Sequence, residues 1–243
     1  MIENGALANV NDKDQYGNTI LGLAAQSGSE EVVNVLLDAG VDINTANSID
    51  STPLMIAAES AYFNICKALL AKGADLSLVD SLGNSALATA SYAGSLQICE
   101  LFVEAGSDVG VVNLKGNTAL HCATLASQVS SQMSIVMLLL DNGSPIDACS
   151  TDMGSALCIA AMQGSLSLCE LFVSRTADVS LSDCDQMTPL IMAAENGHEN
   201  VCKMLIEAGA SVDAADKHKM TPLFNAAENG HENVCKMLIE AGA

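Results

Sequence analysis

The sequence predicts an all-α fold, a solenoid of stacked helix-turn-helix units joined by tight-turn connectors, and three observations predict it. The stretch 187–210, MTPLIMAAENGHENVCKMLIEAGA, returns at 220–243 with two changes, Ile191 to Phe224 and Met192 to Asn225, at an offset of 33 residues. A unit that returns at such a period marks a stacked repeat array, in which each repeat buries its apolar face against the next. Second, Ser or Thr stands at Thr19, Thr52, Ser85, Thr118, Ser155, Thr188 and Thr221, every step being 33 residues except one of 37. Third, each of these residues is followed by a small-residue segment and then by an apolar one, most of which stop at Gly.

Within a unit the elements follow in order. Ser and Thr are favoured N-caps because the hydroxyl accepts a backbone N–H that the first turn leaves unpaired, and Pro53, Pro189 and Pro222 occupy the first helical position, where no N–H is needed. The first helix carries Ala24-Ala25, Ala57-Ala58, Ala90, Ala123, Ala160-Ala161, Ala193-Ala194 and Ala226-Ala227, side chains small enough for helices to approach closely. The second helix is apolar on one face, as in Val201, Cys202, Met204, Leu205 and Ile206. It stops at Gly40, Gly73, Gly106, Gly143, Gly209 and Gly242, residues that take a left-handed C-terminal conformation at little cost. The connector places Asp or Asn at its turn, at Asp14, Asn47, Asp80, Asn113, Asp183 and Asp216. Helices this short are marginal alone, so stability must come from stacking.

Composition fits that reading and narrows the function. Half of the 243 residues are apolar but only 3% are aromatic and none is Trp, so the core is built from Ala, Leu, Ile, Val, Met and Cys. The formal charge is −20, from 29 acidic and 9 basic residues, which argues against nucleic acid and against anionic membranes, both of which need clustered Lys and Arg. The acidic surface keeps an apolar-rich chain in solution, or attracts a basic partner. No stretch has the roughly 18–20 apolar residues of a membrane span, and the polar opening MIENGALANVNDKD is no secretory signal, so the expected location is intracellular, cytoplasmic or nuclear.

The unit resembles the ankyrin repeat, whose turn with Asp and Gly, TPLHxAA, Gly, apolar helix and GAD are visible in DSLGNSALATASYAGSLQICELFVEAGSD at 80–108. Several markers recur in fixed register seven times, so the resemblance covers nearly the whole chain. It implies an ankyrin-repeat solenoid with β-turn or hairpin connectors and repeats at 12–44, 45–77, 78–110, 111–147, 148–180, 181–213 and 214–243, residues 1–11 being the remnant of a preceding repeat. Departures are local. The His after TPL is present only as His121; Asp50, Met153, Gln186 and Lys219 replace the turn Gly, which puts the shape of those turns in question. Thr176 replaces the helix-ending Gly, and since a β-branched residue held left-handed costs about 1–2 kcal/mol, the end of the fifth unit is expected to be irregular. Unit four is four residues longer within LASQVSSQMS, expected at the turn between its helices, either as a tolerated insertion or as a partner-contact loop.

No residues suggest catalysis. Cys66, Cys99, Cys169, Cys202 and Cys235 share one column with Val33 and Val136, which marks a small buried apolar position. Packed helices lie about 8–10 Å apart, beyond the ~7 Å Cα reach of a disulfide, so these thiols should stay separate and reduced. No CxxC pair or zinc spacing occurs, and neither cofactor nor metal is expected; Cys184, near a connector, is the candidate reactive thiol. His121 and Cys122 are adjacent on a helix and face different ways, which argues against a dyad. No phosphate loop, nucleophile elbow or kinase signature is present. The chain is not expected to be an enzyme.

What remains is a binding surface. The resemblance implies that connector tips and first-helix faces line a concave groove, with tips Tyr16, Ile49, Leu82, Lys115, Asp152, Asp185 and His218 and helix positions Gln26, Glu59, Tyr92, Leu125, Met162, Glu195 and Glu228. The candidate partner-binding residues are Tyr16, Ile49, Leu82, Tyr92, Lys115, Leu125, Asp152, Met162, Asp185 and Glu195. The apolar members would grip an apolar segment of a protein partner, or else lean on neighbouring tips, while Asp152, Asp185 and Glu195 favour a basic flank. The expected function is a non-catalytic adaptor or scaffold module. A structural spacer and the targeting arm of a larger enzyme or channel are the alternatives. Asn44, two residues after Asp42 and eight after Leu36, resembles the asparagine hydroxylated in some ankyrin proteins. The last unit repeats the apolar face of the sixth, so it is expected to expose part of that face, to continue into a further unit or to associate end to end.

Overall fold

The structure, a computed structural model, describes residues 11–126 and 129–243. The chain in this range forms seven pairs of short helices. They are α1 (Ile20–Ser27) and α2 (Glu30–Asp38), α3 (Pro53–Glu59) and α4 (Phe63–Ala71), α5 (Ala86–Tyr92) and α6 (Leu96–Glu104), and α7 (Ala119–Leu125) and α8 (Val129–Asp141). The series continues with α9 (Ala156–Gln163) and α10 (Leu166–Ser174), α11 (Pro189–Glu195) and α12 (Glu199–Glu207), and α13 (Pro222–Glu228) and α14 (Glu232–Glu240). The expected remnant at 1–11 lies outside the described residues, apart from Asn11.

Six of the seven expected caps act as the sequence requires, and only the Thr221 side chain makes no cap hydrogen bond. Thr19, Thr52, Ser85, Ser155 and Thr188 each accept, on the side-chain oxygen, the backbone N–H three residues on. Thr118 shares a capping box with His121, whose Nδ1 lies 3.1 Å from the Thr118 nitrogen. The ring is fully buried, so the one histidine in the family slot serves as a helix cap.

The chain divides into two compact units, Met1–Leu114 with Thr118–Ser144, and Lys115–Asn117 with Pro145–Ala243. In the first, α1, α3, α5 and α7 pack in succession, and α2, α4, α6 and α8 do the same behind them. In the second, α9, α11 and α13 form one layer and α10, α12 and α14 the other. Each core has the same columns: Leu21, Leu54, Leu87 and Leu120 are buried in the first unit, and Leu157 and Leu190 in the second, each worth about 1.5–3 kcal/mol when fully buried. Ala57, Ala58, Ala160, Ala161, Ala193 and Ala194 have no exposed surface, consistent with close helix approach.

Three expectations are corrected. The end of the fifth repeat is regular: Thr176 adopts φ 67°, its N–H donates to Val173 C=O at 3.0 Å, and the Ala177 N–H donates to Phe172 C=O at 3.0 Å. The same pair of bonds closes α8, from Gly143 to Leu140 and Ser144 to Leu139. A Cβ added at Gly106, Gly143 or Gly209 would meet nothing within 4 Å, so Thr176 bears a torsional cost but no clash.

The altered turns keep their shape at three of four sites. Asp50, Gln186 and Lys219 take φ 57°, 61° and 65°. In the fifth connector Met153 is not left-handed and Gly154, one residue on, takes φ 67°. That connector has Ser150 where the others have Asp or Asn, and its Oγ accepts the Met153 N–H.

The extra residues of the fourth repeat lengthen a helix. The α8 helix has 13 residues where the other second helices have nine. Residues 127–128 of the expected insertion lie outside the described range. Gln132, buried, donates to the carbonyls of Thr124 and Ala126, and Ser131 donates to Gly94 C=O at 2.6 Å, so the added turn is tied to α7 and to the preceding repeat.

Candidate functional site

Five of the connectors are turns built around one side chain. Asp14 Oδ1 accepts the N–H groups of Tyr16 and Asn18, Asn47 Oδ1 those of Ile49 and Ser51, and Asp80 Oδ1 those of Leu82 and Asn84. Asp183 and Asp216 repeat the arrangement for Asp185 and Met187 and for His218 and Met220. A short acceptor side chain that closes its own turn is the reason Asp and Asn recur there. The bonds from Asn18 and Tyr16 hold the Asp14 carboxyl below its ordinary range.

Adjacent turns are then tied to one another through the tips. In the first unit Ser48 Oγ donates to Tyr16 C=O at 3.0 Å, the Ser81 N–H to Ile49 C=O at 2.9 Å and the Leu114 N–H to Leu82 C=O at 2.9 Å. In the second unit the Thr151 N–H donates to Lys115 C=O and the Lys217 N–H to Asp185 C=O, both at 2.9 Å. The backbone carbonyls of the tips Tyr16, Ile49, Leu82, Lys115 and Asp185 are therefore occupied.

In the first unit the tips are apolar and exposed: Tyr16 is 70%, Ile49 57% and Leu82 62% accessible. Tyr92 on α5 is exposed, whereas Leu125 at the end of α7 is half-buried. A groove of about 160 Å³ between α1, α3 and the Ile49 tip is lined by Leu23, Gln26, Ile56 and Glu59 among others. It is smaller than the roughly 300–1,000 Å³ of small-molecule sites. Leu114, Val79 and Val112 are also exposed and were not among the candidates. The signal for Leu114 was present: Gln15, Ser48, Ser81, Thr151, Cys184 and Lys217 fill the same column, which makes Leu114 the apolar outlier.

The second unit has charged tips. Lys115 pairs with Asp152, and Lys217 pairs with Asp185 at 2.6 Å. Each lysine holds its carboxyl partner below the usual range, and Asp185 in turn raises the Lys217 amine. Such exposed pairs contribute about 0–1 kcal/mol. Met162 and Glu195 are exposed on α9 and α11, and their carbonyls lie 3.0 and 2.9 Å from Nε2 of His198 and His231 in the following repeats.

Asn44 is used between repeats: its Oδ1 accepts the Asp75 N–H at 2.9 Å, and its own N–H donates to Asp42 at 3.0 Å. The thiols divide by burial. Cys66, Cys169 and Cys202 are pushed up to about 12, and Cys99, Cys122 and Cys158 to about 11, chiefly by burial. Cys184 is exposed, as expected, and so is Cys149. Both are raised, Cys184 by its surroundings and then by Asp185 and Asp183, which disfavours the nucleophilic thiolate.

The sequence profile for "Ankyrin repeats (3 copies)" matches residues 1–80, 54–152, 87–183 and 157–243, so overlapping copies account for the full length. The chain belongs to the ankyrin repeat family. A search of curated protein sequences finds no match. Among solved structures, the human ASB11 ankyrin repeat domain is similar with a TM-score of 0.81 at 22% identity, covering 93% of this chain and 99% of that one. The ankyrin repeat domain of Bcl-3, described as a unique member of the IkappaB protein family, is similar with a TM-score of 0.74 at 26% identity, covering 93% of this chain and 100% of that one. Ankyrin repeat domains are in general protein–protein interaction modules, and this chain carries the family's connectors and helix pairs throughout. No described helix is long and apolar enough to cross a membrane.

Proposed function

We propose that this ankyrin repeat chain is a non-catalytic adaptor or scaffold module that holds a protein partner on the face made by its connector tips and first helices. The observation that carries this reading is the apolar row Tyr16, Ile49 and Leu82, exposed on turns whose backbone is already fixed by hydrogen bonds. Side chains held out on an ordered backbone lose little entropy on binding, which favours recognition over simple shielding. Tyr92 and Leu125 extend the apolar face in the first unit, and Met162 supplies an apolar position in the second.

A basic flank in the partner is met by Glu195, and by Asp152 and Asp185 through exchange with Lys115 and Lys217. Those exposed pairs are weak enough for a partner's lysine or arginine to replace them. We place the protein inside the cell, in the cytoplasm or nucleus; nine cysteines that all remain thiols support this.

The test is selection of binding peptides from a displayed random library on the immobilised protein. Peptides with an apolar core and a basic flank are expected. The double variant Leu82→Ala with Tyr92→Ala should weaken them by about 2 kcal/mol, or about 30-fold. Selected peptides that bind the double variant equally well would remove this face as the binding surface.

A further inference from the structure

The first and seventh repeats expose opposite halves of one kind of junction. In repeat one, Ile20, Leu23 and Val32 are exposed, while their counterparts in repeat seven, Pro222, Asn225 and Val234, are buried. In repeat seven, Phe224 and Ile239 are exposed, while their counterparts in repeat one, Gly22 and Leu37, are buried. The first set forms a head face, the side that a repeat turns to its predecessor. The second forms a tail face, the side it turns to its successor.

The internal junctions show how the two sides mate. A Cβ at Gly22 would lie 3.2 Å from Ile56 Cδ1, so the position of Leu23 in one repeat meets the position of Phe224 in the repeat before it. The N–H groups of Ser81 and Lys217 donate to the preceding tip carbonyls, Ile49 and Asp185, and the corresponding places belong to Gln15 at the head and His218 at the tail. Asn64 Nδ2 donates to Glu30 at 2.8 Å, where the head has Glu31 and the tail has Glu232. A head set on a tail therefore repeats the apolar pairing and the ladder bond of an internal junction, with one fault, two carboxylates face to face.

We propose that the tail face of one copy of this chain binds the head face of a second copy, as one repeat binds the next. Leu23 of the second copy packs on Phe224 of the first, and Ile20, Val32 and Ile239 are withdrawn from water in the same contact, which supplies the driving force. The contact joins two different surfaces, so each copy in a pair keeps one face for a further copy. It does not use Ile49, Leu82 or Tyr92, so it stands or falls separately from partner capture by the tips. Each copy carries a formal charge of −20, so copies repel at low ionic strength and salt favours their contact.

Sedimentation velocity of the full chain tests this, with two variants altered only at exposed residues. The head variant is Leu23→Glu with Val32→Glu, and the tail variant is Phe224→Glu with Ile239→Glu. The unaltered chain should pass from monomer to larger species as its concentration rises, and at lower concentration in about 0.5 M than in about 0.05 M salt. Each variant alone should stay monomeric to at least about 30-fold higher concentration. Mixed together, the two should form a one-to-one complex and stop there, because each supplies the face that the other has lost. Glu31→Asn, which places at the head the residue found at position 64, should tighten association by about 2–5-fold. A chain that remains monomeric at every concentration, with Glu31→Asn as well as without it, overturns the proposal. So does a head variant that still self-associates, since tail would then pair with tail, a tail variant that does so, or a mixture that forms no complex.

Discussion

Repeats six and seven share 22 of 24 residues over 187–210 and 220–243, yet the same side chains have different surroundings. Ile191 is fully buried while Phe224, in the same slot, is 60% accessible. Leu190, Ala194 and Cys202 are buried; Leu223 and Cys235 are half-buried and Ala227 is exposed. On the other side of the repeat the two agree, since Val201 and Val234 are both buried, as are Leu205 and Leu238. One face of a repeat is thus covered by its predecessor and the other by its successor, and α13 and α14 cover repeat six. Burial in this molecule belongs to the pair of neighbours, not to the repeat.

The largest expected effect separates the two leucines of the TPL motif. Leu190→Ala should cost about 3 kcal/mol or more by leaving a cavity between layers, and Leu223→Ala about 1 kcal/mol. Urea midpoints of the two variants measure the gap, and equal losses would break the comparison.

A smaller effect is expected at the turn glycines. A Cβ at Gly197 would fall 2.5 Å from the His231 ring that closes over it, whereas at Gly230 it would meet nothing within 4 Å. Both residues are left-handed, at φ 73° and 75°. Gly197→Ala should therefore cost about 2–3 kcal/mol from backbone and clash together, and Gly230→Ala about 1 kcal/mol from the backbone alone. Thermal melts of the pair resolve the difference.

The smallest effect is chemical. Cys202 is held neutral by burial, pushed up to about 12 from 9.0, so its contribution is fully present below pH 9 and is lost as pH rises toward 12. Replacing it with Ala should flatten the alkaline decline, by about 1 kcal/mol at pH 10. At pH 8, iodoacetamide should label Cys235 before Cys202, with the order read by peptide mass spectrometry; simultaneous labelling would show that repeat seven does not shield repeat six.

Much of the fold is legible in the residues because its causes are local. Thr19, Thr52 and Ser85 cap helices by their own hydroxyls, and Asp14, Asn47 and Asp80 close turns by their own oxygens, so each needs no more than three or four following residues. Thr176 and the 37-residue spacing were harder. Gly is the residue that best tolerates the left-handed region, but Thr176 can also occupy it where Cβ has open space, and that space is set by surrounding chain. The four added residues carry no turn signal strong enough to tell a loop from a helical extension; Gln132 and Ser131 settle it through bonds to residues elsewhere in the first unit.

The candidate face divides in the same way. Tip positions follow from register, and the apolar character of Tyr16, Ile49 and Leu82 is written in the chain. Their exposure, the pairing of Lys115 with Asp152 and of Lys217 with Asp185, and the half-burial of Leu125 are not, because each depends on how residues from different repeats meet.

By itself, the sequence determined the repeat, its caps and turns, the apolar columns and the family, because those are set by side chains acting on their own backbone and by a period repeated seven times. Only the tertiary structure decided which copy of an identical side chain is covered, which carboxylates meet lysines and which tip carbonyls are tied to the next turn. Those outcomes depend on distances between repeats, and two copies of one sequence cannot encode a difference that arises from their neighbours.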